Sequence, residues 1–176
     1  VNEFRTDSVF VQIQPGNLYN DLDFIYKAGT QVPARGYSVI HHVQNRITPL
    51  HTNYDLWIKP NVALGALQNK AVIVSTGGAS QGGTYEDGYV KAKARSFGSF
   101  YIAVDTLAPT IAPVNVSEGK NMRGLGKMTF KIRDNLSGIK SFNGYIDGRW
   151  VLMEFDAKTA TLSHSFDGTL SNGKHN

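Results

Sequence analysis

The chain has 176 residues, 41% hydrophobic and 18% charged, which is enough for two small domains and excludes wholesale disorder. It contains no cysteine, and this excludes disulfides, thiolate metal ligands and thiol nucleophiles. The net charge of +4 is spread along the chain and no apolar run approaches the roughly 20 residues of a membrane span, so the sequence favours neither nucleic acid binding nor a membrane anchor.

The first part of the chain predicts a series of short strands. Residues 8–14 alternate apolar and polar side chains with the period of two that is typical of a half-buried strand. Similar strands are predicted at 23–26, 36–43, 54–59, 70–75, 89–95 and 98–104, with one helical turn within 61–69 and a flexible glycine loop at 76–83. The continuous apolar run at 70–75 predicts burial on both faces. Residues 1–105 are therefore expected to form a β-sandwich module.

A second module is expected after a hinge. Asp105, Thr106 and Pro109 interrupt strand pairing, because proline lacks a backbone donor. Strands are predicted at 127–133, 139–146, 150–155 and 159–166, with a two-residue hairpin turn at Asp147-Gly148. Residues 106–176 fall short of the roughly 100 residues of an immunoglobulin-like sandwich. We therefore expect an all-β chain of two tandem immunoglobulin-like β-sandwiches, the second lacking its last strand.

Histidines in the first module suggest a zinc site. His51 and Asp55 have the His-x-x-x-Asp spacing found in zinc hydrolases, and His41 or His42 could supply the third ligand that a catalytic zinc needs. However, His41 and His42 are neighbours in one strand, so their side chains point to opposite faces. Ordinary strand and loop histidines are the alternative interpretation.

Other polar groups suggest weaker candidates. Asp105, Asp134 and Asn135 offer oxygen ligands for calcium near the hinge, although turn formation explains the same residues. Glu86 and Asp87 form an acidic pair that is more typical of a solvated turn than of acid–base catalysis. Ser96 and Ser99 lack the glycines of a nucleophile elbow, and the loop at 77–83 lacks the lysine of a phosphate-binding loop.

Four aromatic residues are candidate platforms for a carbohydrate ring. Tyr85 and Tyr89 could form a flat exposed patch, with Trp57 and Trp150 as further stacking residues. Trp57 lies in the middle of a strand and Trp150 lies beside the predicted hairpin. Packing in the core is therefore the expectation for both tryptophans.

Several segments resemble one family along essentially the whole chain. They are HHVQN at 41–45, TPLH at 48–51, RSFGSFY at 95–101, VDT at 104–106, FKIRDNLSGI at 130–139 and YIDGRWVLMEFD at 145–156. These segments resemble the accessory region of secreted M23-family (LytM-like) metallopeptidases of Bacteroides-type bacteria. In that family a zinc endopeptidase domain that cleaves cell-wall peptides is followed by β-sandwich modules.

The resemblance implies a non-catalytic accessory and anchoring role. The peptidase signature pairs His-x-x-x-Asp with a later His-x-His, and this sequence has no His-x-His, so no catalytic residue carries over. Zinc is expected only in the catalytic domain, which is absent here. The expected partners are a cell-wall polymer or the adjoining peptidase domain, and the expected location is secreted or in the cell envelope.

Two alternatives remain open at this point. One is an adhesin-like surface protein whose modules bind a glycan or a protein. The other is a hydrolase in its own right that uses His51, Asp55 and one of the two strand histidines.

Overall fold

A computed structural model describes all residues, Val1–Asn176. Strands contain 39% of the residues and helices 3%, arranged in several antiparallel sheets, which confirms the predicted all-β, sandwich-type fold. The chain divides into two compact units, Val1–Thr106 and Leu107–Asn176. No helix in the chain has the length and apolar character needed to cross a membrane.

The first unit contains two sheets. Their strands are β1 Asn2–Arg5, β2 Val9–Ile13, β3 Tyr26–Ala28, β4 His41–Val43, β5 Tyr54–Ile58, β6 Ala71–Ser75, β7 Thr84–Glu86, β8 Tyr89–Ala94 and β9 Gly98–Val104. One sheet has five strands in the order β1-β2-β5-β8-β7, and the other has four in the order β3-β4-β9-β6. A single 3-10 helix, Gly65–Lys70, leads into β6.

The core of the first unit follows from the alternation of side chains along its strands. Alternate residues of β2 and β5 point inward, and they meet inward residues of β4, β6 and β9 from the other sheet. Leu56 and Ile58 are fully buried, and burial of such a side chain stabilises the fold by about 1.5–3 kcal/mol. The buried members are Val9, Val11, Ile13, Val43, Tyr54, Leu56, Ile58, Leu64, Ala71, Ile73, Val90, Ala94, Phe97, Phe100 and Ile102.

Several predictions for the first unit need correction. Strands β1 and β7 were not predicted, and the strand predicted at 23–26 lies instead at Tyr26–Ala28. Only His41–Val43 of the predicted strand at 36–43 is a strand. Residues 36–40 do not form a strand. There the Ser38 hydroxyl accepts a hydrogen bond from the Ile102 N–H at 2.9 Å, so a side chain takes the place of a main-chain partner from a neighbouring strand. The glycine loop at 76–83 is not free, because Ile73 N–H donates to Gly82 C=O and Gln81 N–H donates to Ile73 C=O.

The second unit is smaller. Its strands are β10 Thr110–Pro113, β11 Lys127–Arg133, β12 Gly144–Ile146, β13 Arg149–Val151, β14 Glu154–Asp156 and β15 Thr161–Ser165. A four-stranded sheet has the order β10-β11-β15-β14, and β12 and β13 form a separate hairpin. The core contains Ile132, Met153 and Leu162.

The hairpin turn of the second unit is confirmed, but the strands around it are shorter than predicted. Asp147 and Gly148 have φ of 50° and 76°, as a type I′ turn requires. The predicted strand at 150–155 is interrupted at Leu152, whose carbonyl accepts a hydrogen bond from His164 Nδ1 at 2.8 Å. Met153 then turns into the core. The predicted strand at 139–146 is reduced to Gly144–Ile146.

Candidate functional site

His41 and His42 lie on opposite faces of β4. His41 is fully buried, and its Nδ1 lies 2.8 Å from the Tyr26 hydroxyl. Its other ring nitrogen, Nε2, has no hydrogen-bond partner. Burial lowers the pKa of His41 to about 4, and the nearby charge of His42 adds to this shift. His42 is exposed and its Nδ1 lies 2.7 Å from the Ser99 hydroxyl, so the two rings have separate surroundings.

His51 and Asp55 also have separate partners. His51 lies in the loop before β5. Its backbone N–H donates to the Asn17 carbonyl, and its ring stacks on the Tyr19 ring with 3.7 Å between centroids. Asp55 lies in β5 and pairs with Lys93 at 2.8 Å. Both predicted zinc ligands therefore make contacts that shape a loop and a sheet surface.

Asn17 holds the loop that carries His51, and the sequence reading did not identify it. Its side chain is buried, accepts the Thr52 N–H at 2.6 Å and donates to the Asn53 carbonyl at 3.2 Å. A buried amide is stable only when both of its ends are bonded. The sequence Pro15-Gly16-Asn17 is typical of a turn, and such a pattern does not indicate a contact with a loop 35 residues further along the chain.

The structure contains no group of three or more His, Cys, Asp or Glu that could hold a metal ion. Of the calcium candidates, Asp105 belongs to the first unit, and Asp134 and Asn135 belong to the second. The Asp134 carboxylate accepts the N–H groups of Leu136 and Gly138 at 2.9 and 2.7 Å, which is the contact of a turn-forming aspartate. Asn135 is exposed.

Tyr85 and Tyr89 do not form one patch. Tyr85 pairs with Val90 across the β7–β8 hairpin and packs against the core. Tyr89 precedes Val90 in β8 and therefore points to the opposite, outer face. The predicted patch around both tyrosines is wrong, because the tight turn at Asp87-Gly88 places them on opposite sides of the sheet.

Trp57 lies on the outer face of the five-stranded sheet and not in the core, contrary to expectation. Phe10 and Trp57 are cross-strand partners with 4.4 Å between ring centroids. Arg5 lies over Phe10 at 4.6 Å and the Lys91 ammonium lies over Trp57 at 4.5 Å. We call these four residues the aromatic row. Since both ends carry cations over ring faces, the row stabilises the sheet from outside.

The acidic pair Glu86 and Asp87 holds Lys91 beside the aromatic row. The Lys91 ammonium contacts the Glu86 carboxylate at 2.9 Å and the Asp87 carboxylate at 2.6 Å. The hydrogen bonds that Lys91 donates to Asp87 and, to a lesser extent, to Glu86 raise the pKa of Lys91. The two carboxylates thus fix a cation over Trp57, and this contact occupies a ring face that a sugar would need.

The second unit exposes a pair of aromatic residues. Tyr145 and Trp150 are cross-strand partners in the β12–β13 hairpin, and they are 60% and 58% exposed. Trp150 is therefore not a core residue, contrary to expectation. Beside it lies an open cavity of about 840 Å³ whose wall includes Arg149, His164 and His175. An exposed tryptophan beside hydrogen-bonding groups is typical of a binding surface.

His175 and Asn176 are attached to this hairpin through Asp147. The Asp147 carboxylate contacts His175 Nδ1 at 2.6 Å and accepts the Asn176 N–H at 2.8 Å. In return, Asp147 N–H donates to the Asn176 carbonyl at 2.7 Å. These contacts lower the pKa of Asp147 and raise the pKa of His175, chiefly through the hydrogen bond between the two side chains.

Asp147→Asn is expected to return the pKa of His175 towards its ordinary value. A raised histidine pKa means that the ion pair stabilises the fold below that ordinary value and is lost as the pH rises through the raised pKa. An NMR titration of the His175 ring measures this, with the His51 ring as the internal control. An unchanged His175 midpoint in the variant would contradict the pairing.

Comparison with known proteins gives one finding. The model of a protein family described as a Zu5-like domain matches residues 1–105. No curated protein matches the chain, and no solved structure does.

Proposed function

The chain belongs to the Zu5-like domain family through residues 1–105, and we propose that it forms the non-catalytic accessory and anchoring modules of an exported peptidoglycan zinc endopeptidase. In this proposal, zinc and peptide cleavage belong to an adjoining peptidase domain. The chain holds that domain at the cell envelope.

The observation that carries the non-catalytic part is the placement of the candidate zinc ligands. His41 is buried against Tyr26, His51 stacks on Tyr19 and Asp55 pairs with Lys93. Each group has a structural contact of its own. These contacts favour a role for the two all-β units in binding or spacing a neighbouring domain. The sequence segments that resemble the accessory region of M23-family peptidases favour the same role.

The anchoring part is supported by the exposed surface of the second unit. Tyr145, Trp150 and Leu152 are each at least 58% exposed, and exposed apolar groups close together in the chain mark interaction surfaces. The net charge of +4 adds a weak, salt-sensitive attraction to an anionic wall polymer.

A sacculus-pelleting assay tests the anchoring. The purified chain is expected to sediment with peptidoglycan sacculi, and Trp150→Ala is expected to lower the sedimented fraction. Ile47→Ala is the matched control, since Ile47 is an 85% exposed apolar residue of the first unit. A chain that stays wholly in the supernatant would exclude anchoring and leave spacing of the peptidase as the role.

An adhesin-like surface protein is the second candidate. Tyr145 and Trp150 side by side on one face of a hairpin favour it, because neighbouring aromatic rings can stack on successive sugar units. A glycan array separates the two functions. Binding to host-type glycans without sedimentation on sacculi would favour the adhesin.

A further inference from the structure

The edge of the five-stranded sheet at β1 has unpaired main-chain groups. Thr6 N–H donates to Val9 C=O at 2.8 Å, which makes these two a hydrogen-bonded pair. Such pairs alternate along an antiparallel ladder, so Phe4–Val11 is hydrogen-bonded, whereas the pairs formed by Arg5 and Glu3 are not. The N–H and C=O groups of Glu3 and Arg5 therefore point away from β2.

No other strand covers this edge. β1 is the terminal strand of its sheet, and Asn2–Arg5 makes no main-chain hydrogen bond outside the β1–β2 ladder. Exposed edges of this kind accept an added strand, and natural proteins use them for recognition.

A cavity of about 610 Å³ opens beside the same edge. The Phe4 ring forms part of its wall and contacts Phe24 with 5.0 Å between centroids. Part of the lining is hydrocarbon, contributed by Phe4, Val11, Ile13, Leu18, Leu22 and Phe24, and the rest carries polar groups, among them Asn2, Gln14 and Asn20. Glu3 and Asp21 also line the cavity, and both are exposed.

We propose that this edge binds an extended peptide, which adds a strand to β1 and inserts one apolar side chain into the cavity. The partner needs main-chain donors and acceptors for Glu3 and Arg5 and a hydrocarbon group for the apolar part of the cavity. A peptide strand supplies both, whereas a sugar chain has no run of N–H and C=O groups at strand spacing with which to continue the ladder. The cavity lining includes two acids, Glu3 and Asp21, and no basic residue, which favours a partner carrying lysine or arginine. A second copy of β1 would place its own Arg5 opposite Glu3, and the test below separates it from a peptide.

The ladder also fixes the register of the partner. The partner residue opposite Phe4 has its side chain on the same face as Phe4 and enters the cavity. The residue opposite Glu3 points to the outer face, where a basic side chain meets the carboxylate. The bound sequence thus places an apolar residue next to a basic one. This inference depends on the edge and its cavity alone and not on the cell-wall proposal.

The probe is a fluorescein-labelled octapeptide with one leucine between lysines and threonines. We expect saturable binding by fluorescence anisotropy, together with slower hydrogen exchange at the amides of Glu3 and Arg5. Glu3→Pro removes an outward N–H that the fold does not use and is expected to weaken binding about tenfold. Glu3→Ala keeps the N–H and removes only the carboxylate, so it is expected to weaken binding less than Glu3→Pro does.

Three results would overturn the proposal. One is an anisotropy signal that leaves exchange at the Glu3 and Arg5 amides unchanged. Another is slower exchange there at high protein concentration without peptide, which would assign the edge to a second copy. The third is the same slowing with a trimer of N-acetylglucosamine. The result of the sacculus-pelleting assay does not change the interpretation of these three results. The peptide-binding proposal and the cell-wall proposal can therefore be refuted independently.

Discussion

Acidification from pH 7 to pH 4 is expected to lower the free energy of unfolding of the first unit by about 3 kcal/mol through His41 alone. One pKa unit is worth about 1.4 kcal/mol, and the pKa of His41 falls from its ordinary 6.5 in the unfolded chain to about 4 in the folded protein. As the pH falls, His41 therefore takes up a proton in the unfolded chain at a higher pH than in the folded protein. Stability is fully present above pH 6.5 and is lost as the pH falls towards 4.

His41→Leu tests this expectation. The variant keeps an apolar side chain of similar size in the core and removes the group that titrates, so its loss of stability on acidification should be smaller by about 3 kcal/mol. Urea unfolding, followed through amide NMR signals of Val43 and Ile73, measures it at several pH values. His42→Leu is the matched control, because its exposed ring lies next in the same strand. Equal acid sensitivity of wild type and His41→Leu would contradict the assignment.

Gly83→Ala is expected to destabilise the first unit by about 3 kcal/mol. A Cβ at this position would lie 2.8 Å from Val90 Cγ1, 2.9 Å from the Ala71 carbonyl oxygen and 3.0 Å from Val72 Cα. Two of these atoms belong to the backbone of β6 and cannot move without disturbing the ladder with β9. The glycine is thus required where the loop passes between two strands.

The same loop offers a matched control. A Cβ at Gly77 would meet only the Ser75 hydroxyl oxygen, at 3.8 Å, so Gly77→Ala is expected to change stability by less than about 0.5 kcal/mol. Thermal and urea unfolding of both variants give the comparison. Similar stability of the two variants would show that the loop can move away from β6, contrary to its hydrogen bonds.

The strands that sequence reasoning located well are those with an apolar pattern of their own. β9 was predicted with its observed bounds, and β2, β5 and β6 to within one residue at each end. β1 was missed because Asn2–Arg5 has one apolar residue among polar ones, as suits an edge strand. β7 was missed because only Tyr85 of its three residues faces the core.

The candidate site could be predicted less well, because its contacts depend on pairing between distant residues. The alternation of side chains along a strand predicts that His41 and His42 face opposite sides of the sheet, and the structure confirms this. The aromatic row could not be found in this way, because Phe10 meets Trp57 only through the register of β2 against β5. The burial of Asn17 likewise depends on a loop that follows it by 35 residues.

The placement of the two tryptophans gives each unit its own optical reporter. Trp57 is half-buried under a lysine in the first unit, whereas Trp150 is largely exposed in the second. Their indole emission should differ in wavelength, with Trp57 emitting further to the blue. Substituting either one by phenylalanine leaves a chain whose fluorescence follows the unfolding of a single unit. The unfolding of one unit can therefore be recorded by tryptophan fluorescence without a contribution from the tryptophan of the other unit.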